Sequence, residues 1–245
     1  MINNFFFAAY NNVVEEITIT QNGYDGVYMS YLYGKVRDRF SFLPSECGLE
    51  KNGERTEMAF KTEREYCPYV RKFAEEHIAD VLAVGYKYNF FEKRLLLPML
   101  TKLQKRLLIT ALVAADYKED KTYIVRRIRG IEQYCLDGLF HFRLQDLKKR
   151  WEEIIEYIPT DMSEVSMEGF LEFLAEDGEG KLFIKNGQVY DEEYRPLTRS
   201  LLTGVESTVG EIVLGGAERI YCFGETDAET KAFLRKYYGD KAVFC

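Results

Sequence analysis

Val70-Arg-Lys-Phe-Ala-Glu-Glu-His-Ile-Ala-Asp-Val-Leu-Ala-Val-Gly-Tyr-Lys-Tyr88 is the stretch on which the fold turns. Val70, Phe73, Ala74, His77, Ile78, Val81, Val84 and Tyr88 recur at three- and four-residue steps, which marks one buried face of an α-helix. A second helix is expected from about Glu92. Its Leu95, Leu96, Met99, Leu100, Leu103, Leu107 and Leu108 are apolar over so wide an arc that it should be the centre of a bundle, with Pro98 near its start, where a missing donor costs least. From about Lys121 a further stripe follows: Ile131, Tyr134, Cys135, Leu139, Phe142, Leu147, Trp151, Ile154, Ile155 and Ile158, interrupted at Asp137-Gly138 and ended by Pro159. Glycine inside a continuous helix costs about 1 kcal/mol relative to alanine. Either the helix breaks there or something packs close against Gly138.

On the N-terminal side the period shortens to two. A helix over residues 5–15 precedes a strand through Ile17-Thr-Ile-Thr that ends at Asn22-Gly23, and residues 36–42 and 56–61 alternate similarly around Pro44, Gly48 and Asn52-Gly53. On the C-terminal side a short helix over residues 166–174 ends at Asp177-Gly178. Leu182-Phe-Ile-Lys-Asn-Gly-Gln-Val-Tyr190 then reads as a hairpin about a type I′ turn at Asn186-Gly187. A helix over residues 191–209, a strand over 219–223, a helix over 227–238 capped by Thr226 and a strand over 242–245 complete the chain; Gly215-Gly216 reads as a helix stop. The last three elements form βαβ grammar, so their strands should be parallel neighbours. The expected fold class is α+β: a central helical bundle (residues 65–165), a small N-terminal antiparallel sheet (1–64) and a C-terminal mixed α/β part (166–245), packed as one or two globular domains.

Composition narrows the classes. Apolar residues at 47% and only 5 prolines argue for a folded chain over a disordered one. The 5 cysteines, with no close pair and no C-x-x-C, argue against a disulfide framework or a thiolate metal site. The apolar start lacks the basic flank and cleavage site of a signal peptide, and the most apolar later run, residues 107–115, is too short to span a bilayer, so a cytoplasmic protein without membrane insertion is expected. The net charge of −7 divides unevenly: −4 over residues 1–84, +8 over 85–150 and −11 over 151–245. The basic middle either meets phosphates or docks against the acidic flanks, and its apolar character favours docking.

No catalytic signature accompanies these elements. His77, on an apolar helical face, reads as a hydrogen-bonded core residue. His141 and Arg143 lie beside Gly138, an arrangement that could hold an anion and so serve a phosphate- or nucleotide-handling enzyme. Arg126, Arg127, Arg129, Lys148 and Lys149 could line a nucleic-acid-binding stripe, without any helix-turn-helix, zinc-finger or RNA-recognition pattern. Cys67 precedes Pro68 at a helix start, where a thiol pKa can fall, but an inert buried cysteine is the simpler reading. The pairs Glu75-Glu76 and Asp191-Glu192-Glu193 read as solvent-facing. Without H-E-x-x-H, a P-loop or G-x-G-x-x-G, no metal and no cofactor is expected.

Asp137-Gly-Leu-Phe-His-Phe-Arg-Leu-Gln-Asp-Leu147, with the amphipathic run to Ile158, resembles the Gly-Phe-x-x-Phe-Arg-Leu region of the YtxC-like family of sporulation proteins from spore-forming Firmicutes. The tail resembles it too, through Leu201-Leu202, Ile220-Tyr-Cys-Phe, Glu229-Thr-Lys-Ala-Phe-Leu and Val243-Phe-Cys245. The resemblance covers residues 65–245. It implies a cytoplasmic protein of a spore-forming bacterium connected with sporulation, supplies no biochemical activity and carries over no catalytic residue; the leading expectation beside it is a non-enzymatic protein that acts through an unidentified protein partner or nucleic acid.

Overall fold

Alternation about Ile17 and Ile19, both fully buried, forms strand β1 (Val14–Asn22). The computed structural model describes residues 14–23 and 26–245. The helix expected over residues 5–15 therefore lies outside the described residues, apart from Val14 and Glu15, which open β1. Val36 to Phe40, expected as strand, belong to helix α1 (Val27–Phe40). There Met29, Leu32, Val36 and Phe40 are buried at three- and four-residue steps, and this longer period overrides the local alternation. Strand β2 (Ser45–Asn52) is an edge strand with mostly exposed residues, so it had no apolar pattern to betray it. It turns at Gly53 (φ +63°) into β3 (Arg55–Glu63), which pairs antiparallel with β1.

The stretch over residues 70–88 forms a long helical rod: α2 (Cys67–Asp80) passes through a π-helical turn (Val81–Tyr86) into α3 (Lys87–Arg94). The rod stops before Pro98 instead of running through it. Helix α4 (Lys102–Ala115) starts afresh at a capping box, where Thr101 Oγ1 accepts from the Gln104 N–H and Gln104 Oε1 accepts from the Thr101 N–H. Residues 108–113 of α4 are buried, but Leu96, Met99 and Leu103 are exposed, so the wide apolar arc belongs only in part to the core. Helix α5 (Tyr117–Ile128) lies along the rod.

The stripe expected to be helical begins as a strand, β4 (Gln133–Cys135), which adds to β1 in parallel and completes a sheet of order β2-β3-β1-β4. The N-terminal sheet is thus finished by the middle of the chain. A helical turn (Leu136–Gly138) and a π-helical turn (Leu139–Arg143) lead to α6 (Gln145–Tyr157). The helix breaks near Gly138, and nothing crowds that residue: an added Cβ would meet only Cys135, at 3.4 and 3.5 Å.

Helix α7 (Glu164–Glu176) precedes the hairpin of β5 (Lys181–Lys185) and β6 (Gln188–Tyr190), where Asn186 (φ 52°) and Gly187 (φ 78°) supply the two positive angles of the turn. The helix expected over residues 191–209 does not form. Pro196 bridges to Tyr190, a 3₁₀ turn spans Arg199–Thr203, and only α8 (Thr208–Gly215) is regular. Gly216 (φ 56°) stops α8, and a Cβ on Gly215 would lie 2.5 Å from Leu182, so the helix seats directly on β5. Strand β7 (Arg219–Phe223), helix α9 (Ala228–Tyr237) and strand β8 (Ala242–Phe244) follow as βαβ, with β5, β7 and β8 parallel in the order β6-β5-β7-β8. The cap of α9 is Asp227, which accepts from the Thr230 N–H, rather than Thr226. The chain is α+β, and among the described residues no helix is long and apolar enough to cross a membrane.

Lys87 is fully buried at the start of α3. Its Nζ lies 2.7 Å from Asp120 and 3.4 Å from Asp116, and Trp151 Nε1 donates to the same Asp120 oxygen at 2.9 Å. Helices α3, α5 and α6 therefore meet at one carboxylate. Breaking a buried ion pair leaves its partner unneutralised, at a cost of about 3–5 kcal/mol. Lys87→Met is expected to lose stability of that order in urea unfolding. Lys87→Met combined with Asp120→Leu should recover much of the loss.

Candidate functional site

His77 and Asp80 stand three residues apart on α2, hence on one face of the helix. Asp80 accepts from His77 Nδ1 at 2.9 Å and Tyr31 OH at 3.4 Å through one oxygen, and from Tyr117 OH at 2.5 Å and Lys121 Nζ at 2.7 Å through the other. The carboxylate is almost wholly buried. Burial alone would raise its pKa, but the His77 hydrogen bond and the charge of Lys121 outweigh burial and hold it well below the usual carboxylate range. An ionised carboxylate can only accept, so the proton between the two groups is assigned to Nδ1 of His77. Nε2 has no hydrogen-bond partner among the described residues, and in the neutral form of this tautomer it carries the lone pair.

This cluster forms part of the wall of a cleft of about 1090 Å³ between α1, α2 and α5 on one side and the loop following β6 on the other. Arg199, from the 3₁₀ turn, lays its guanidinium 4.6 Å from the Tyr117 ring centroid, and its Nε is buried without a hydrogen-bond partner. Lys35 is half-buried over the Tyr31 ring; burial pushes its pKa down, with Asp80 and Glu211 opposing. The acids of the wall are already engaged. Asp38 pairs with Arg37, Glu179 with Lys118, Asp191 and Glu193 with Arg195, and Glu192 accepts from the Lys181 N–H. Among the described residues Lys35, Arg39, Lys181 and Arg199 have no such carboxylate partner, while Asp191 and Glu193 share Arg195 and a backbone N–H leaves the charge of Glu192 in place, so the lining sets seven bases against six acids beside an oriented imidazole.

The residues singled out from the sequence lie elsewhere. Gly138, His141 and Arg143 sit on the π-helical turn Leu139–Arg143 or just before it; His141 and Arg143 are exposed, and none of the three lines the cleft. Arg126, Arg127, Arg129 and Lys149 are exposed, with Arg127 3.8 Å from Asp146, while Lys148 lies over the Phe140 ring at 5.1 Å. The basic middle is thus divided. Lys87, Lys118 and Lys121 dock against carboxylates, and Lys118 and Lys121 do so with the acidic flanks, whereas the arginines near the end of α5 face solvent. Glu75, read as solvent-facing, is buried and accepts from Tyr134 OH at 2.7 Å and the Gly130 N–H at 3.1 Å. Cys67 is buried at the start of α2, where burial raises its thiol pKa. The one signal of the site legible in the sequence was the His77-x-x-Asp80 spacing within a helical face. Tyr31, Tyr117, Lys121 and Arg199 come from three other elements.

No protein-family model, curated protein or solved structure matches this chain significantly.

Because folding lowers the pKa of Asp80, the unfolded chain takes up its proton first on acidification. The stability Asp80 contributes is present above the unfolded value of about 3.9 and is lost as the pH falls through the lower folded value. Urea midpoints measured from neutral pH to below about pH 4 are expected to fall more steeply for the wild type than for Asp80→Asn, which should already be the less stable protein at pH 7.

Proposed function

We propose that the protein binds a small anionic compound, a phosphate monoester or a carboxylic acid, in the cleft, and that His77 exchanges a proton with it. The observation that carries this reading is the pairing of an imidazole held through Nδ1 by Asp80 with a guanidinium, Arg199, whose Nε is buried and unpartnered on the same wall. An oriented imidazole is suited to general acid or base work. A guanidinium with a free donor suits an oxyanion. Lys35 and Arg39 add to the attraction without neutralising partners.

The resemblance to the YtxC-like family supports a setting in spore formation for this ligand-binding protein, and deletion in a spore-forming host should alter spore yield. The exposed arginines of α5 support a second contact surface, for a protein or nucleic-acid partner, that is separate from the cleft.

Calorimetric titration with inorganic phosphate and with a nucleoside monophosphate tests the cleft. Removing a charge-assisted hydrogen bond costs about 1.5–3 kcal/mol, so Arg199→Ala should weaken binding roughly tenfold to a hundredfold. Titration in buffers of different ionisation enthalpy should reveal proton exchange on binding that His77→Asn abolishes. Failure of either anion to bind the wild type, or equal binding by Arg199→Ala, defeats the proposal.

A further inference from the structure

The second sheet has two unlike faces. Leu182, Ile184, Ile220 and Cys222 point into the core. The alternate positions on β5 are Lys181, Phe183 and Lys185, and on β7 Arg219, Tyr221 and Phe223; the register sets Phe183 beside Tyr221 and Lys185 beside Phe223. Tyr190 on β6 pairs with Phe183 on the same face. These side chains are exposed or only partly buried. Residues 151–245 carry a net charge of −11, yet no acid stands at any outward position of the four strands, while three bases and four aromatic rings do.

A fifth ring is added from outside the sheet. Tyr194 lies 4.5 Å from Phe183 with their planes 14° apart, and Phe183 in turn lies 5.7 Å from Tyr221 at 25° and 6.3 Å from Phe223 at 23°. Tyr194 is 63% exposed, so this set of near-parallel rings ends on an open aromatic surface. The backbone that presents it is unusual. Tyr194 adopts φ 57°, rare for a residue with a side chain. The turn is held by Asp191, whose Oδ1 accepts from the Glu193 and Arg195 N–H groups and whose Oδ2 accepts from Arg195 Nε.

We propose that this face binds single-stranded nucleic acid, with bases stacking on Tyr194 and Phe223 and phosphates drawn to Lys181, Lys185 and Arg219. Aromatic side chains stack on bases only where the bases are unpaired, and interleaved cations follow the backbone. The charge pattern selects this occupant. A second copy of the same face would set bases against bases with no outward acid on the strands to answer them. Arg219 reaches Glu218 only at 4.0 Å, and the acids of the Tyr194 turn are held by Arg195 and the Lys181 N–H. The surface is distinct from the arginines of α5.

Fluorescence anisotropy with a labelled single-stranded RNA of about a dozen nucleotides is the test, with the duplex of the same sequence as comparison. The full chain should bind the single strand in preference to the duplex. Tyr194→Ala and Phe223→Ala, both at exposed positions, should each weaken binding roughly fivefold to a hundredfold, and Tyr194→Phe should restore it. Lys181→Ala with Lys185→Ala should weaken it further and flatten its salt dependence. The proposal is overturned if the wild type does not bind, if the duplex binds as well, or if only Arg126→Ala, Arg127→Ala and Arg129→Ala matter. Sedimentation showing a dimer that Phe223→Ala dissociates would also overturn it, assigning the face to self-association.

Discussion

Two ion pairs of opposite sense join the long helical rod to α5. Below the π-helical turn the rod offers an anion, Asp80, to Lys121; above it the rod offers a cation, Lys87, to Asp120. Asp120 and Lys121 are consecutive, hence about 100° apart around α5. Turning α5 by one residue would bring Lys121 toward Lys87, so the pairs select its rotation as well as adding attraction. Two neighbouring helices, α1 and α6, are tied to this seam. Trp151 attaches α6 to its upper half, and Tyr31 and Tyr117 attach α1 and the start of α5 to its lower half.

The lower pair has a second role because it lies at the edge of the core. The carboxylate that locks the helices is the one that orients His77, and the lysine that neutralises it stands on the cleft wall. Structure and candidate chemistry therefore share a residue, and the imidazole is held by the same interaction that holds the fold. A π-helical turn immediately follows Asp80, and Gly85 within it leaves room for the Tyr28 ring, since a Cβ there would lie 2.5 Å from that ring. Such turns insert an extra residue into a helix and re-aim the side chains beyond it.

Where burial followed a single period, the sequence was readable: the rod, the Asn186-Gly187 hairpin and the closing βαβ unit all stood out. It was less readable where tertiary contacts set the local state. β4 has only three residues and exists because β1 offers it an edge, so no window of sequence could separate it from the helical stripe around it. The segment after β6 looked helical until Pro196 and Gly204 are weighed with the bridge to Tyr190. The cleft was the least visible part, because its residues span Tyr31 to Ala217 and become one site only when α1, α2, α5 and the 3₁₀ turn converge. Gly138, His141 and Arg143 drew notice through adjacency in sequence, which on a surface turn brings no enclosure.

The parallel join of β1 to β4 has a consequence for how the chain is made. During synthesis β1, β2 and β3 leave the ribosome long before Cys135, so one edge of β1 stays without its partner while more than seventy further residues are added after β3. Over that interval the backbone of β1 is an open template for any extended segment nearby. Ile17 and Ile19, which the core finally covers, are uncovered along it at that stage. The order of the chain therefore leaves the nascent sheet open along one edge of β1 until β4 emerges.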